Sequence, residues 1–373
     1  VHLPWCVRKC PYCDFNSHAA RAELPFADYI AALIRDLEQE LPLVWGRVIQ
    51  SVFFGGGTPS LFAAEYIDQF LQAAAARLHF SPNLEITLEV NPGTSEYDRF
   101  ARYRAAGVNR LSFGVQSFDD TMLQTLGRIH NGHEAIRALK QAQDNGFDNI
   151  NLDLMFALPQ QTIIQAENDL LQAFALQPTH ISWYQLTLEQ NTVFFSRPPV
   201  GILDDDAAYE IQEHGQNLLK EAGYLQYEVS AYAQAGYQCI HNLNYWRFGD
   251  YLGIGAGAHG KISEGAKQQI RRRWKHKHPR TYMETAGTPA CIGGDEIITS
   301  KHLPFEYMLN VLRLHEGFDL RDFESATGLP RAVLQPGLIR GVQCGGLLVD
   351  GNRVMPTEQG RRFANSLMEL FLD

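Results

Sequence analysis

No apolar run in this chain reaches the ~18 residues that a membrane-spanning helix requires. Its start carries neither a signal-peptide pattern nor an initiator methionine. It opens at Val1-His2-Leu3, in what reads as the middle of a strand, so a few further residues are expected upstream. Cysteine is scarce: six in 373 residues, three crowded between positions 6 and 13, with Cys239, Cys291 and Cys344 scattered. A secreted disulfide scaffold is shorter and spreads its cysteines, which excludes that class. The three scattered cysteines are expected as buried thiols. Positive charge is also in short supply, with 32 Lys and Arg against 42 Asp and Glu and a net charge of −10. That excludes a globally basic nucleic-acid binder. The dinucleotide fingerprint GxGxxG is absent.

What is present is an ordinary globular composition, 45% hydrophobic and 20% charged. The length suits one large α/β domain plus a smaller one. One local departure from the acidic balance is the run Arg271-Arg272-Arg273-Trp274-Lys275-His276-Lys277-His278-Pro279-Arg280. It reads as a solvated loop or helix face. The other reading is a site for an anionic partner: a propionate-bearing tetrapyrrole, a phosphate or a membrane surface.

Strand candidates lie at 1–3, 51–54, 84–90, 110–115, 149–156 and 180–186, rich in Val, Ile, Phe or Leu and bounded by Gly, Pro or Asn. Amphipathic helical patterns fall between them. In the first, Phe26, Ile30, Leu33, Ile34, Leu37 and Leu41 share one face. Others cover 63–78, 95–106, 133–145 and 162–176, with Gly107 and Gly146 placed as helix C-terminal stops. Six βα units imply a parallel sheet with right-handed crossovers, and a partial barrel rather than a doubly wound sheet. Polar residues support the barrel. Cys6, the Gly55-Gly56-Gly57-Thr58 stretch, Glu89, Gln116 and Asp153 all sit at or just past strand C-termini, which converge on one mouth. After residue 187 the rhythm breaks. A helix over 204–222 is followed by Gly- and Tyr-rich chain through Gly260. From 303 onward come three helical segments, a hairpin turning at Asp350-Gly351-Asn352, and a last helix over 359–372. That pattern resembles a winged helix. Residues 301–373 carry eight Lys or Arg against nine Asp or Glu, so an interaction or lid module is favoured over a DNA reader.

The strongest chemical signal is Cys6, Cys10 and Cys13, spaced CxxxCxxC. Three thiolates on one short loop can ligate three irons of a cubane and leave the fourth open to a ligand. The alternative is zinc, which wants four closed ligands, and His2, Asp14 and His18 are nearby candidates for the fourth. The second signal is Gly55-Gly56-Gly57-Thr58 after a strand, where glycines let backbone approach a ligand closely. A plain βα turn would explain one glycine. The third is Glu89, Gln116, Arg128 and Asp153. Each alone suits a strand end, an ion pair or a cap. Together they offer acceptors for hydroxyls and a cation for a carboxylate.

CxxxCxxC with the aromatic Tyr12 before the third cysteine resembles the radical S-adenosylmethionine (SAM) superfamily. The resemblance implies a [4Fe–4S] cluster on Cys6, Cys10 and Cys13, with its open iron facing SAM. It also implies SAM contacts from Tyr12, Gly56, Gly57, Thr58, Glu89, Gln116, Arg128 and Asp153. The order of these motifs is similar to the family of oxygen-independent coproporphyrinogen III oxidase and its relatives, over most of the chain. In that family a Tyr just upstream of the first residue here contacts SAM.

Two activities compete within the family: the oxidase (HemN), which decarboxylates propionates in porphyrin biosynthesis, and the HemW-type heme chaperones. The oxidase carries a further Cys two residues after the third ligand, where this chain has Phe15. His241-Asn242-Leu243-Asn244-Tyr245-Trp246 resembles the HNxxYW pattern of the chaperones. An imidazole can serve as an axial heme ligand, and Tyr and Trp can stack on a porphyrin. The same residues could instead cap a turn and pack a core, and His259 is a second heme candidate.

The expected architecture is a partial (β/α)6 TIM-like barrel over 1–230, a connecting region with the HNxxYW motif over 231–300, and a winged-helix-like domain over 301–373. The expected activity is heme binding and delivery to acceptor hemoproteins, among them membrane-associated respiratory proteins. His241 is the heme contact, and no nucleic-acid partner is expected. The expected place is the cytoplasm, with transient presence at the membrane.

Overall fold

The computed structural model describes residues 1–20, 23–93 and 99–372. Its strands are β1 (His2–Leu3), β2 (Trp5–Cys6), β3 (His18–Ala19), β4 (Val48–Gly56), β5 (His79–Val90), β6 (Arg110–Gln116), β7 (Ile150–Phe156) and β8 (His180–Gln185). They continue with β9 (Leu225–Glu228), β10 (Ala231–Ala233), β11 (His259–Glu264), β12 (Gln269–Lys275), β13 (Ile292–Ile298), β14 (Phe318–Asp319), β15 (Leu347–Asp350) and β16 (Arg353–Pro356).

The main sheet has the order β1-β4-β5-β6-β7-β8-β10-β9. The six strands from β1 to β8 pair in parallel, and β10 and β9 extend the sheet antiparallel. This is the expected six-stranded partial barrel, with two further strands drawn from the Tyr-rich stretch that the sequence left without regular structure. Side-chain alternation sorts the strands. Ile86, Leu88 and Val90 of β5 and Leu111, Phe113 and Val115 of β6 face outward into the main core under the helices. The intervening Glu85, Thr87 and Glu89, and Arg110 and Ser112, are left for the barrel interior.

Helix Phe26–Val44 buries Tyr29, Ile30, Leu33 and Leu37, the face its periodicity marks. Asn131 with Glu134, and Thr162 with Gln165, form capping boxes that start helices Gly132–Asp144 and Ile163–Ala175. Gly107 and Gly146 adopt positive φ (103° and 82°) just beyond helix ends, as expected. Of the helix expected over 95–106, residues 95–98 lie outside the described residues, and Phe100–Ala105 is helical.

Three expectations are corrected. The basic run 271–280 is a solvated face only in its second half, where Lys277, His278 and Arg280 are exposed: its first half is β12, the central strand of the antiparallel sheet β11-β12-β13. The cations of that strand are paired with carboxylates, and Lys275 is buried. Lys275 Nζ donates to Asp36 (2.5 Å) and Glu40 (2.6 Å), Arg273 pairs with Glu40 and Asp295, and Arg272 pairs with Glu306. The last helix is broken into Glu358–Arg362 and Ala364–Glu369 at Phe363, which turns Leu367, Met368 and Phe371 into the C-terminal core. Cys239 and Cys291 are buried, but Cys344 is exposed.

The C-terminal part runs helix Leu303–Val311, β14, helices Leu320–Thr327 and Gln335–Gln343, and the hairpin β15–β16, with sheet order β14-β16-β15. That order is winged-helix-like. No helix among the described residues is long and apolar enough to cross a membrane.

Candidate functional site

The three cysteines and the eight other residues singled out for the mouth line one cavity of about 450 Å³. Cys6 ends the short strand β2, which pairs with β3. The loop is pinned where Thr58 N–H donates to Trp5 O (2.7 Å) and Gly57 N–H to Leu3 O (2.8 Å). These contacts revise the reason for the glycines. A Cβ on Gly57 would lie 2.5 Å from the Trp5 carbonyl oxygen, and one on Gly56 (φ +112°) 2.5 Å from the His2 ring. The glycines admit the cysteine-bearing strand, not only a ligand.

Burial pushes the Cys6 and Cys13 thiols up, and metal coordination would deprotonate them outright. Among the described residues, no three His, Cys, Asp or Glu side chains gather tightly enough for a single metal ion. Three thiols on one loop, each free to take its own iron, suit a [4Fe–4S] cluster better than the alternative zinc site. Phe15, exposed at the cavity rim, supplies no fourth sulfur.

The rest of the cavity suits a zwitterionic ligand carrying a positive sulfonium. Glu89 is pushed up to about 8, first by burial and then by Asp153, while the Gly56 N–H (3.2 Å) opposes the shift. Burial also raises Asp153, which accepts from Ser112 (3.3 Å) and Asn151 (2.8 Å). A cationic ligand centre would return both carboxyls toward the ionised form. Arg128 donates to Gly114 O (2.6 Å), Asn91 (3.2 Å) and Cys10 Sγ (3.7 Å), and its buried Nε has no hydrogen-bond partner among the described residues. The guanidinium lines the cavity and supplies the cation for a ligand carboxylate. Gln116 sits at φ +72°, beside a register shift in β6, and accepts from Tyr184 (2.7 Å). A non-glycine residue held left-handed at a cavity wall is strain of the kind found at functional sites.

His241 is not in this cavity. It lies on helix Ile240–Trp246, which closes the opposite, N-terminal end of the barrel, and lines a separate cavity of about 260 Å³. Its ring stacks on Phe53 (4.5 Å, 20°) and meets Tyr245 edge-on (4.9 Å). Burial, then the N-terminal amine, then Arg110 push its pKa down to about 3, so the imidazole is neutral. Glu85 caps this helix, accepting from Cys239 Sγ (3.4 Å), Ile240 N (3.2 Å) and His241 N (3.1 Å). Trp246 lies beneath the Arg313 guanidinium (4.2 Å). His259 stacks on Trp274 (5.8 Å, 19°) in the β11–β12 ladder, away from both cavities.

A buried polar ladder runs between the two ends. Asn151, beside Asp153, meets His180 Nδ1 (2.6 Å), His180 Nε2 meets the Tyr227 hydroxyl (2.9 Å), and Asn242 donates to that hydroxyl (3.4 Å). Burial and then Arg110 keep His180 neutral. Glu85, Arg110, His180, Tyr184 and Tyr227 were not picked out from the sequence. The signal available for all but Tyr227 was a polar residue at every second position: Glu85-Thr87-Glu89, Arg110-Ser112, and His180-Ser182-Tyr184.

The chain resembles known proteins along its whole length. The family profile described as the radical SAM superfamily matches residues 1–173, and the HemN C-terminal domain matches 298–363. The chain is 49% identical to heme chaperone HemW of Escherichia coli (strain K12), over 100% of this chain and 97% of that protein. Against HemW of Haemophilus influenzae identity is 48% (100% and 97% covered), and against HemW of Bacillus subtilis 32% (100% and 98%). The solved structure of coproporphyrinogen III oxidase (HemN) from Escherichia coli, a radical SAM enzyme, superposes with a TM-score of 0.83 at 22% identity, covering 99% of this chain and 88% of that one. At that identity the superposition speaks for the fold alone.

Proposed function

Since the chain belongs to the HemW family of heme chaperones within the radical SAM superfamily, we propose that it binds heme and hands it to acceptor hemoproteins, carrying a [4Fe–4S] cluster and SAM at the barrel mouth. The division of labour is the one set out from the sequence. Cys6, Cys10 and Cys13 hold the cluster. Tyr12, Gly56, Gly57, Thr58, Glu89, Gln116, Arg128 and Asp153 hold SAM. His241 contacts heme. The three-part division at about residues 230 and 300 belongs to the same proposal, as do cytoplasmic residence, transient membrane association and respiratory acceptors. A bound cluster with SAM supplies reductive radical chemistry. The chain's own part is to position, desolvate and charge-balance those groups.

Support comes above all from the separation of the two cavities. An oxidase must bring its porphyrinogen to the SAM cavity, whereas the chaperone-type histidine here opens into a different space. That space, about 260 Å³, is below the roughly 300–1,000 Å³ of small-molecule sites. Heme uptake at His241 therefore requires the capped helix Ile240–Trp246 to move off the barrel floor.

The test is anaerobic reconstitution followed by two assays. Stoichiometric hemin uptake and transfer to an apo-hemoprotein are expected. Conversion of coproporphyrinogen III to protoporphyrinogen at enzymatic rates would overturn the chaperone function in favour of the oxidase.

A further inference from the structure

Helix Ile240–Trp246 closes the barrel floor, yet none of its seven residues is fully buried. An element with so little buried surface sits at the low end of local stability. Besides the Glu85 cap on its first turn, it is tied into the barrel interior at Asn242, whose amide donates to the Tyr227 hydroxyl (3.4 Å). That bond is the last rung of the ladder that starts at Asp153 in the mouth, so one chain of hydrogen bonds touches both sites.

The direction of each rung is set from the mouth. An ionised Asp153 can only accept, and it takes an N–H from Asn151 Nδ2 (2.8 Å). Asn151 Oδ1 faces the other way and accepts from His180 Nδ1 (2.6 Å) and Ser182 (3.0 Å). His180 is fully buried and neutral, with its one proton on Nδ1. Its Nε2 must therefore accept from the Tyr227 O–H (2.9 Å), and the Tyr227 oxygen is left to accept from Asn242. This is the polarity the structure shows. A protonated Asp153 donates instead. It needs the Asn151 oxygen, which turns that amide over, leaves the His180 proton on Nε2, and points the Tyr227 O–H at the Asn242 N–H. The last rung is then lost unless Asn242 also turns. Bonds that all point one way strengthen one another, so the charge at the mouth is felt at the floor.

We infer that His180 and Tyr227 are positioning residues that couple the two sites: a cationic ligand on Asp153 in the mouth fixes the ladder in the polarity that holds Asn242, and with it the helix bearing His241, on the floor. The inference rests on the SAM and heme sites proposed above. Bound SAM keeps the floor closed, and its departure frees the helix. By linkage, heme at the floor weakens SAM binding by the same factor as SAM weakens heme binding.

Hydrogen–deuterium exchange of residues 240–246 in the anaerobically reconstituted full chain, with and without SAM, tests the coupling in the absence of heme. SAM is expected to slow exchange there about threefold or more in the wild type. It is expected to leave exchange unchanged in Tyr227→Phe, which keeps the ring but ends the ladder at His180, and in Asn242→Ala, which removes the last rung from the helix side. Hemin titration at the Soret band gives the reciprocal measure. SAM is expected to raise the hemin Kd about threefold or more in the wild type and to leave it unaltered in both variants. The inference is overturned if SAM binds the wild type without changing exchange at 240–246, or if its effect persists in both variants. Slowed exchange in a chain that takes up no hemin overturns the heme function and leaves the coupling intact. A chain that binds no SAM overturns the SAM site, and the inference with it.

Discussion

The imidazole of His241 lies face to face with the ring of Phe53, centroids 4.5 Å apart and planes 20° from parallel, on the inner wall of the barrel. The residue with the best claim to a heme is thus used here as a plug, on a helix whose backbone is held by Glu85. His241→Ala should lower hemin affinity at the floor site by about tenfold or more. Phe53→Ala, which frees the ring without removing the ligand, should speed hemin uptake. Stopped-flow absorbance at the Soret band separates the two effects.

Glu85 holds three donors at the barrel floor. Glu85→Ala leaves the Ile240 and His241 N–H groups and the Cys239 thiol unsatisfied, a cost of about 1–3 kcal/mol for a buried group. Urea unfolding should show the midpoint falling with an unchanged slope, and iron content after reconstitution should stay near the wild-type value.

Gly57→Ala should do the reverse. The added Cβ meets the Trp5 carbonyl oxygen at 2.5 Å, backbone that cannot swing away, so β2 and Cys6 must shift. Overpacking of this kind costs about 1–3 kcal/mol. Iron and sulfide content after reconstitution should fall sharply, as it should for Cys6→Ser, Cys10→Ser and Cys13→Ser, while hemin uptake persists.

The pH dependence of the apoprotein's stability should show two opposite trends. Glu89 moves from 4.5 unfolded to about 8 folded, so its contribution is present below pH 4.5 and is lost as pH rises toward 8. Glu89→Gln should therefore gain on the wild type in Tm between pH 5 and 8, by ~2 °C or more for a chain of this size. His241 moves from 6.5 to about 3, so its contribution is present above pH 6.5 and is lost as pH falls. His241→Phe keeps the stacking and should lose less stability than the wild type between pH 7 and 5. Differential scanning calorimetry across this range checks both signs.

Lys275 is 2% exposed and bonded to Asp36 and Glu40, which are 0% and 3% exposed. Lys275→Met leaves the buried Asp36 without a cation and Glu40 with Arg273 alone, at a cost of about 3–5 kcal/mol. Chemical denaturation should show that loss. A loss within 1 kcal/mol would mean the carboxylates are already protonated.

Much of this protein was legible in the order of its residues. Spacing alone put three thiols on one loop. Period-2 and period-3.6 hydrophobicity marked six βα units, because those periods follow directly from backbone geometry. Strand ends located the mouth, since parallel strands that close toward a barrel must bring their C-termini together. All eleven mouth residues meet in one cavity for that reason. Three things were decided only by the tertiary structure. Lys275 of the basic run became the centre of a buried ion cluster because Asp36 and Glu40, its carboxylate partners, lie more than 200 residues away in the chain. His241 became a floor plug because helix Ile240–Trp246 docks on Glu85, a long-range contact with no local signature. Arg361, Arg362 and His315 line one groove beside helix Asp205–Glu221, although they are far from that helix in the chain, and the break of the last helix at Phe363 lies in that same lining. Local periodicity carries no information about which distant partner a charge will meet.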